Sequence, residues 1–205
     1  EKGYGLIHIF EDEYENKKEL VLSKIKHILK VEDNEIKVGA RQCAIKEITK
    51  SNSDDFLERY HIQGKVSASI YYGAYYNDAL IGVMTFKKET KEGFWELSRY
   101  ATDYHYICQG LGGKLFKHFI KEKNPVEVKS FADRRWTISS ENNLYTKLGF
   151  VLEKALWPDY KYYNEDVDKF QRFHKFGFRK QILHKRYNLP LTMTETQMVK
   201  ELGYD

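Results

Sequence analysis

The chain opens on a short apolar run, GYGLIHIF over residues 3–10, which predicts a strand. An acidic stretch, EDEYEN at 11–16, follows, and then KKELVLSKIKHILK runs to Lys30. There Leu20, Val21, Lys24, Ile25, Ile28 and Leu29 recur at helical spacing, so the segment reads as an amphipathic helix. Acids lead it and lysines end it, as the helix dipole favours. VEDNE then interrupts the pattern near residues 31–35. From 36 to 48 (IKVGARQCAIKEI) apolar and polar residues alternate with period two, as in a strand, and 54–60 fits one or two helical turns. Two β-rich runs, SASIYYGAYY and ALIGVMTFKK, flank Asn77-Asp78 and predict a hairpin. Further strands are expected at 94–101, at 126–132, over GFVLEKA and over DYKYYN. Helices are expected over KLFKHFIKE after the glycines at 110–113, over SENNLYTKL, and in the tail beyond residue 192.

Meandering strands followed by strand–helix alternation predict an α+β fold: a central mixed sheet with helices packed on it. The pattern suggests three stretches. These are a strand–helix leader over 1–35, a main domain over 36–165, and a basic helical extension over 166–205. With 205 residues, 41% of them hydrophobic, the chain is long and apolar enough to bury a core. No 18-residue apolar run predicts a membrane span, and no signal peptide is evident. Cys43 and Cys108 lie far apart with no C-x-x-C spacing, so a disulfide scaffold or cysteine zinc site is not expected and a reducing, cytoplasmic setting is. A net charge of only +4 makes any nucleic-acid footprint a local one.

The chemistry concentrates in two places. Gln109-Gly110-Leu111-Gly112-Gly113-Lys114 joins a strand to a helix. Glycines there let a ligand approach the backbone, and the helix start offers free N–H groups to phosphate, although a tight turn uses the same residues. Some 30 residues on comes Asn142-Asn143-Leu144-Tyr145-Thr146-Lys147-Leu148-Gly149-Phe150. That Y-x-x-x-G-F ending, behind an Asn-led helix, resembles the GNAT acyltransferase superfamily over roughly residues 36–165.

The resemblance implies a donor, acetyl-CoA or a related acyl donor, lying between strand 94–101 and strand 126–132. Candidate cofactor residues are then Ser98, Tyr100, Gln109, Gly110, Gly112, Gly113, Lys114 and Asn142. The family's leading Arg or Gln of the loop falls on Ile107, a departure. Tyr60-His61, Gly82-Val83-Met84-Thr85-Phe86, Leu97-Ser98-Arg99-Tyr100, Ser130-Phe131-Ala132-Asp133 and Leu144-Tyr145 are similar to the phage Mom type, which modifies adenine in DNA. This implies His61, Arg99, Asp133 and Tyr145 as functional positions, with Arg99 orienting, Asp133 as base and Tyr145 as acid. FADRRW and NLYTKLGF resemble stretches of phage and large-virus proteins, which would make the setting a host cytoplasm. GLIHIFEDEY resembles the tail of nuclease domains in phage homing endonucleases, where Glu11-Asp12-Glu13 could bind a metal; a solvated helix start is the plainer reading.

Alternatives stay open at each residue. Asp133 could cap the next helix or pair with an arginine, and Tyr145 could be a core tyrosine. His61, Asp133 and Glu96 could ligate a metal, but no helical spacing supports it; no metal-site residues are assigned and a metal stays open. Arg134, Arg135 and Trp136 could hold a phosphate and stack on a base. Between 169 and 186 seven Lys/Arg residues stand among phenylalanines with no acid. Lys169, Arg172, Lys175, Arg179 and Lys180 are therefore candidate DNA contacts, although Phe170 and Phe173 also fit a helix packed on the sheet. The leading expectation is a transferase acting on a nucleobase amine of DNA. The second is a DNA-binding module, of homing-endonuclease type, that has lost catalysis.

Overall fold

The computed structural model describes residues 6–31, 35–137, 139 and 141–205. The chain forms two compact units, one of residues to His8 with Lys17–Leu152, the other of Ile9–Asn16 with Glu153–Asp205. The strand expected at 3–10 is not found: residues 3–5 lie outside the described residues, and 6–10 take no strand. Leu6 is instead 82% exposed. Helix α1 (Glu11–Leu29) follows, and its helical geometry fails at Lys17 (φ −139°, ψ 39°), where the chain passes between units. Leu20 and Val21 are its buried face.

In the first unit the alternating stretch 36–48 makes two strands rather than one. β1 (Ile36–Gly39) and β2 (Ala44–Glu47) flank a single 3-10 turn at Ala40–Gln42. They join different sheets: β1 pairs in parallel with β6 (Tyr106–Gln109), and β2 edges a five-stranded sheet. After α2 (Lys50–Tyr60), β3 (Ile70–Tyr76) and β4 (Ala79–Glu89) form the expected hairpin. Asn77 and Asp78 carry φ of 46° and 63°, the left-handed pair that matches the twist of the two strands. β5 (Phe94–Thr102) lies antiparallel to β4, and β7 (Val128–Ser130) parallel to β5, giving the order β2-β3-β4-β5-β7.

Ile81, Val83, Met84, Thr85 and Phe86 of β4 are fully buried, so the central strand is covered on both faces. On one face lies α3 (Leu111–Lys123), with Leu111, Leu115 and Phe119 fully buried and Phe119 stacked on Phe86 at 3.6 Å between ring centroids. Each such side chain contributes about 1.5–3 kcal/mol of transfer free energy. Phe56 and Leu57 of α2 cluster with Val83 and Ala101 in a separate group, holding β4 and β5 from the other side. The helix expected over SENNLYTKL shortens to α4 (Leu144–Lys147). The strand expected over GFVLEKA is absent among the described residues: Val151 and Leu152 are 90% and 79% exposed and pair with nothing as a ladder.

In the second unit β8 (Lys161–Tyr163) pairs antiparallel with β9 (Arg172–His174). A 3-10 turn, α5 (Lys180–Tyr187) and α6 (Glu195–Glu201) follow, closed around Phe178, Leu183, Met198, Val199 and Tyr204. The phenylalanines at 173 and 178 therefore build a small core, and the stretch 169–186 is not one helix. Among the described residues no helix is long and apolar enough to cross a membrane.

Candidate functional site

β5 and β7 run side by side through Trp95↔Val128, Glu96↔Lys129 and Leu97↔Ser130, and there the ladder stops. Ser130 Oγ donates to the Leu97 carbonyl at 2.8 Å, closing the last rung. β5 continues to Thr102 paired only with β4. On the β7 side the chain turns away at Asp133, whose Oδ1 accepts the Arg135 amide at 3.0 Å, the side-chain turn characteristic of aspartate. Ser98, Arg99 and Tyr100 thus sit on an edge that β7 has left.

Tyr145 faces this opening from α4, and the Y-x-x-x-G-F motif explains how. Asn143, rather than Asn142, caps the helix, accepting from the Thr146 amide at 3.0 Å. Gly149 at φ 88° ends it, and the Phe150 amide returns to the Tyr145 carbonyl at 2.9 Å. Phe150 then packs on Phe116 of α3 and edge-on to Tyr145, at 5.4 Å and 6.0 Å between centroids. Burial raises the pKa of the Tyr145 phenol; a hydrogen bond with Ser130 and the charge of Arg99 oppose the rise, and Asp133 adds to it.

The other expected residues gather nearby. Arg99 donates through Nη1 to the Ser98 carbonyl at 2.7 Å and through Nε to the Gly64 carbonyl at 3.4 Å. Burial lowers its pKa, while Glu96 and Tyr145 favour its charged form. His61 follows α2, accepts the Gln63 amide on Nδ1 at 3.1 Å, and offers its carbonyl to Lys17 Nζ at 2.7 Å. Burial, then the positive charges of Arg99, Lys24 and Lys17, push its imidazole down to about 3, so it is neutral and a weak base. Asp133 is gripped by Arg135 through Nε at 3.2 Å and Nη2 at 2.7 Å. Burial alone would raise its pKa, but these bonds outweigh burial and hold it below the usual value. This geometry engages the carboxylate as an ion-pair partner and leaves it poorly suited as a free base. Arg134 is exposed. Among the described residues no three His, Cys, Asp or Glu side chains group to hold a metal, and His61, Asp133 and Glu96 make no such set.

The glycine loop is partly used by the protein itself. Gly110, in the left-handed region at φ 84°, ends β6 and opens α3. The Gly112 amide hydrogen-bonds the Tyr100 phenol, whose pKa burial pushes well above its ordinary value. A Cβ on Gly112 would stand 3.0 Å from Leu144 Cδ1 and 3.2 Å from Tyr100 Cζ, so a larger residue would require these side chains to give by a few tenths of an ångström. The Lys114 ammonium is engaged within the chain, capping the carbonyls of Ala40 at 2.9 Å, Arg41 at 3.4 Å and Cys43. Ser98 Oγ bonds the Glu96 carbonyl at 3.5 Å, and Asn142 is exposed with its amide on Ser139 Oγ. A cleft of about 320 Å³ begins at Gly113, where a Cβ would meet open space, and is lined by Phe116, Lys117, Lys121 and Lys147. These three lysines escaped the sequence reading because solvated helix faces carry such residues routinely.

In the second unit Arg172 is bound internally, to Asp12 at 2.7 Å and Glu13 at 3.0 Å with its guanidinium 3.6 Å over the Phe10 ring. Asp12 and Glu13, but not Glu11, thus clasp an arginine, and among the described residues the three acids form no metal-holding group. Lys175 meets Asp159 at 2.5 Å, and Lys169 lies 5.6 Å over Phe170. Arg179 stacks on Phe176 at 4.3 Å beside a cleft of about 750 Å³ that Tyr160, Lys180 and Glu195 also line.

Residues 38–150, more than half of the chain, match the model of the Acetyltransferase (GNAT) family. No curated protein matches the chain. Among solved structures, a GNAT-family acetyltransferase from Streptococcus pneumoniae shares 19% identity over 57% of this chain and 98% of its own, with a TM-score of 0.43. An aminoglycoside acetyltransferase from an uncultured soil sample shares 16% over 58% and 95%, at 0.43. A ribosomal-protein-alanine N-acetyltransferase from Brucella melitensis shares 14% over 57% and 98%, at 0.40. At these scores it is the family match, and no single one of these structures, that places the chain.

Proposed function

The chain belongs to the acetyltransferase (GNAT) family, and from that premise we propose that it transfers an acyl group from an acyl-coenzyme A donor to an amine. The observation that carries this reading is the Tyr145 phenol beside Ser130 and Arg99 where β5 and β7 part. The residues present fit a donor of this kind. Gly113 opens on a cleft whose Lys117, Lys121 and Lys147 suit phosphate groups and whose Phe116 and Leu148 suit an apolar arm. When bound, the donor supplies an acyl group activated as a thioester.

The chain's own part is to hold and move a proton. Tyr145 Oη keeps its proton at neutral pH, because burial disfavours the phenolate. The Arg99 guanidinium, nearby and charged, lowers the cost of giving that proton up. Neither His61 nor Asp133 is a good base for the incoming amine, so the amine arrives uncharged or yields its proton to water. The test is release of free thiol from acetyl-CoA with a panel of amines. Tyr145→Phe should lower kcat by roughly 10²–10⁴-fold without loss of fold. Full activity in that variant removes Tyr145 from the chemistry, and acetyl-CoA failing to raise the melting temperature refutes the donor.

A second reading makes the amine that of a DNA base, in the manner of the Mom type. Its support is the second unit's cleft, where half-exposed Phe176 carries Arg179 on its face beside Tyr160 and Lys180. Such rings and cations bind unpaired bases and phosphates. Mass spectrometry of nucleosides from DNA incubated with the protein and acetyl-CoA decides it: an unmodified digest ends this reading and leaves the first intact.

A further inference from the structure

Among the hydrogen-bond donors of the first unit that acyl transfer as outlined leaves unexplained, two stand side by side. Trp136 Nε1 is shut off from water and has no acceptor. Lys24 Nζ lies 5.3 Å from the centroid of the same indole and, among the described residues, has no hydrogen-bonded or ion-paired partner. It is half-buried in the apolar stripe of α1, beside Leu20 and Val21. Asp133 is near enough to act on it electrostatically, but both Asp133 oxygens are held by Arg135. A dry indole N–H and a desolvated ammonium side by side are costly unless an acceptor-rich group completes them.

The neighbours say which kind of group. Lys17, Lys24 and Arg99 all bear on neutral His61, so positive charge prevails around it. Asp133, which feels Lys24, also bears on Tyr145, which places the two donors next to the proposed chemistry. The lysines suited to the donor's phosphates stand elsewhere, on α3 and α4. We infer that Lys24 and Trp136 anchor an oxyanion, carboxylate or phosphate, carried by the acceptor amine. The inference rests on the acyl-transfer reading for its substrate, but the anion site itself can be tested without transfer.

Two measurements on the full chain test it. The first compares kcat/KM for β-alanine and O-phosphoethanolamine with that for ethanolamine, which has the amine and no acid. One or both acidic amines should be preferred at least tenfold, and the better of the two identifies the oxyanion. Lys24→Met and Trp136→Phe should each shrink the preference roughly ten- to hundredfold, the loss of one charge-assisted bond. Lys24→Arg should restore part of it. The second titrates inorganic phosphate and acetate against the melting temperature, with acetyl-CoA stabilisation measured in parallel. A shift weakened by Lys24→Met and Trp136→Phe supports the anchor even if no amine is acylated, an outcome that would instead refute the transfer reading. Equal use of acidic and neutral amines, or anion shifts the two variants leave unchanged, overturns the anchor.

Discussion

His61 makes the folded protein sensitive to mild acid, by an amount that can be worked out. Its imidazole is held down to about 3, first by burial and then by Arg99, Lys24 and Lys17. In the unfolded chain a histidine titrates near 6.5. Above that value His61 is neutral in both states and favours neither. As pH falls below it, the unfolded chain takes up a proton that the folded one refuses, so stability drops until pH reaches the folded value. Between pH 7 and pH 5 the loss is about 2 kcal/mol, roughly thirtyfold in the folding constant. The figure is insensitive to the folded value as long as that lies well under 5. His61→Asn keeps an acceptor for the Gln63 amide and removes the titration. Urea unfolding followed by tryptophan fluorescence suits the assay, since Trp95 and Trp136 share the unit of His61. The wild type should lose about 2 kcal/mol more than His61→Asn between the two pH values. An equal loss in both proteins would show that His61 is not held neutral, and the cationic surroundings drawn for it would be wrong.

Three further outcomes follow from the geometry. Gly110→Ala meets only Ala40 Cβ at 3.8 Å, so its cost is the left-handed backbone alone, about 1–2 kcal/mol by chemical denaturation, with Gly110→Asn milder. Gly113→Ala is helical and unobstructed, so it should add about 0.5–1 kcal/mol of stability while weakening acetyl-CoA, if that amide lies against phosphate. Cys108, pushed up to about 12 by burial and its contact with Cys43 at 3.6 Å, should react with iodoacetamide at pH 8 some hundreds of times more slowly than free cysteine.

The elements best read from sequence are those whose signal is local. Asn77-Asp78 dictates its own turn, Gly110 its own backbone, and Gly149-Phe150 the stop of α4. What failed was non-local. Alternation over 36–48 reports extended chain but not that Ala40–Gln42 sends its halves to different sheets. The apolar runs at 6–10 and 149–155 look like strands, but found no partner ladder among the described residues. The basic stretch from 169 hid a small core and an arginine bound to acids 159 and 160 positions earlier. Within the site, a resemblance named Tyr145, Arg99, His61 and Asp133, which the structure places near one another; their protonation could not be read, because it depends on who surrounds them. Lys24 did leave a trace: a charge set in the stripe of Leu20, Val21 and Ile25 is out of place on a face meant for the core.

The Lys114 clamp bears on how the molecule comes together. Its ammonium reaches carbonyls 71 to 74 positions upstream, and β6 zips onto β1 across a similar gap. The start of α3 can therefore settle only after a long stretch of chain has been brought round, a late and slow event in assembly. A shortened protein beginning just after Cys43 would retain the hairpin and most of the sheet, yet its glycine turn would have lost the strap that shapes it.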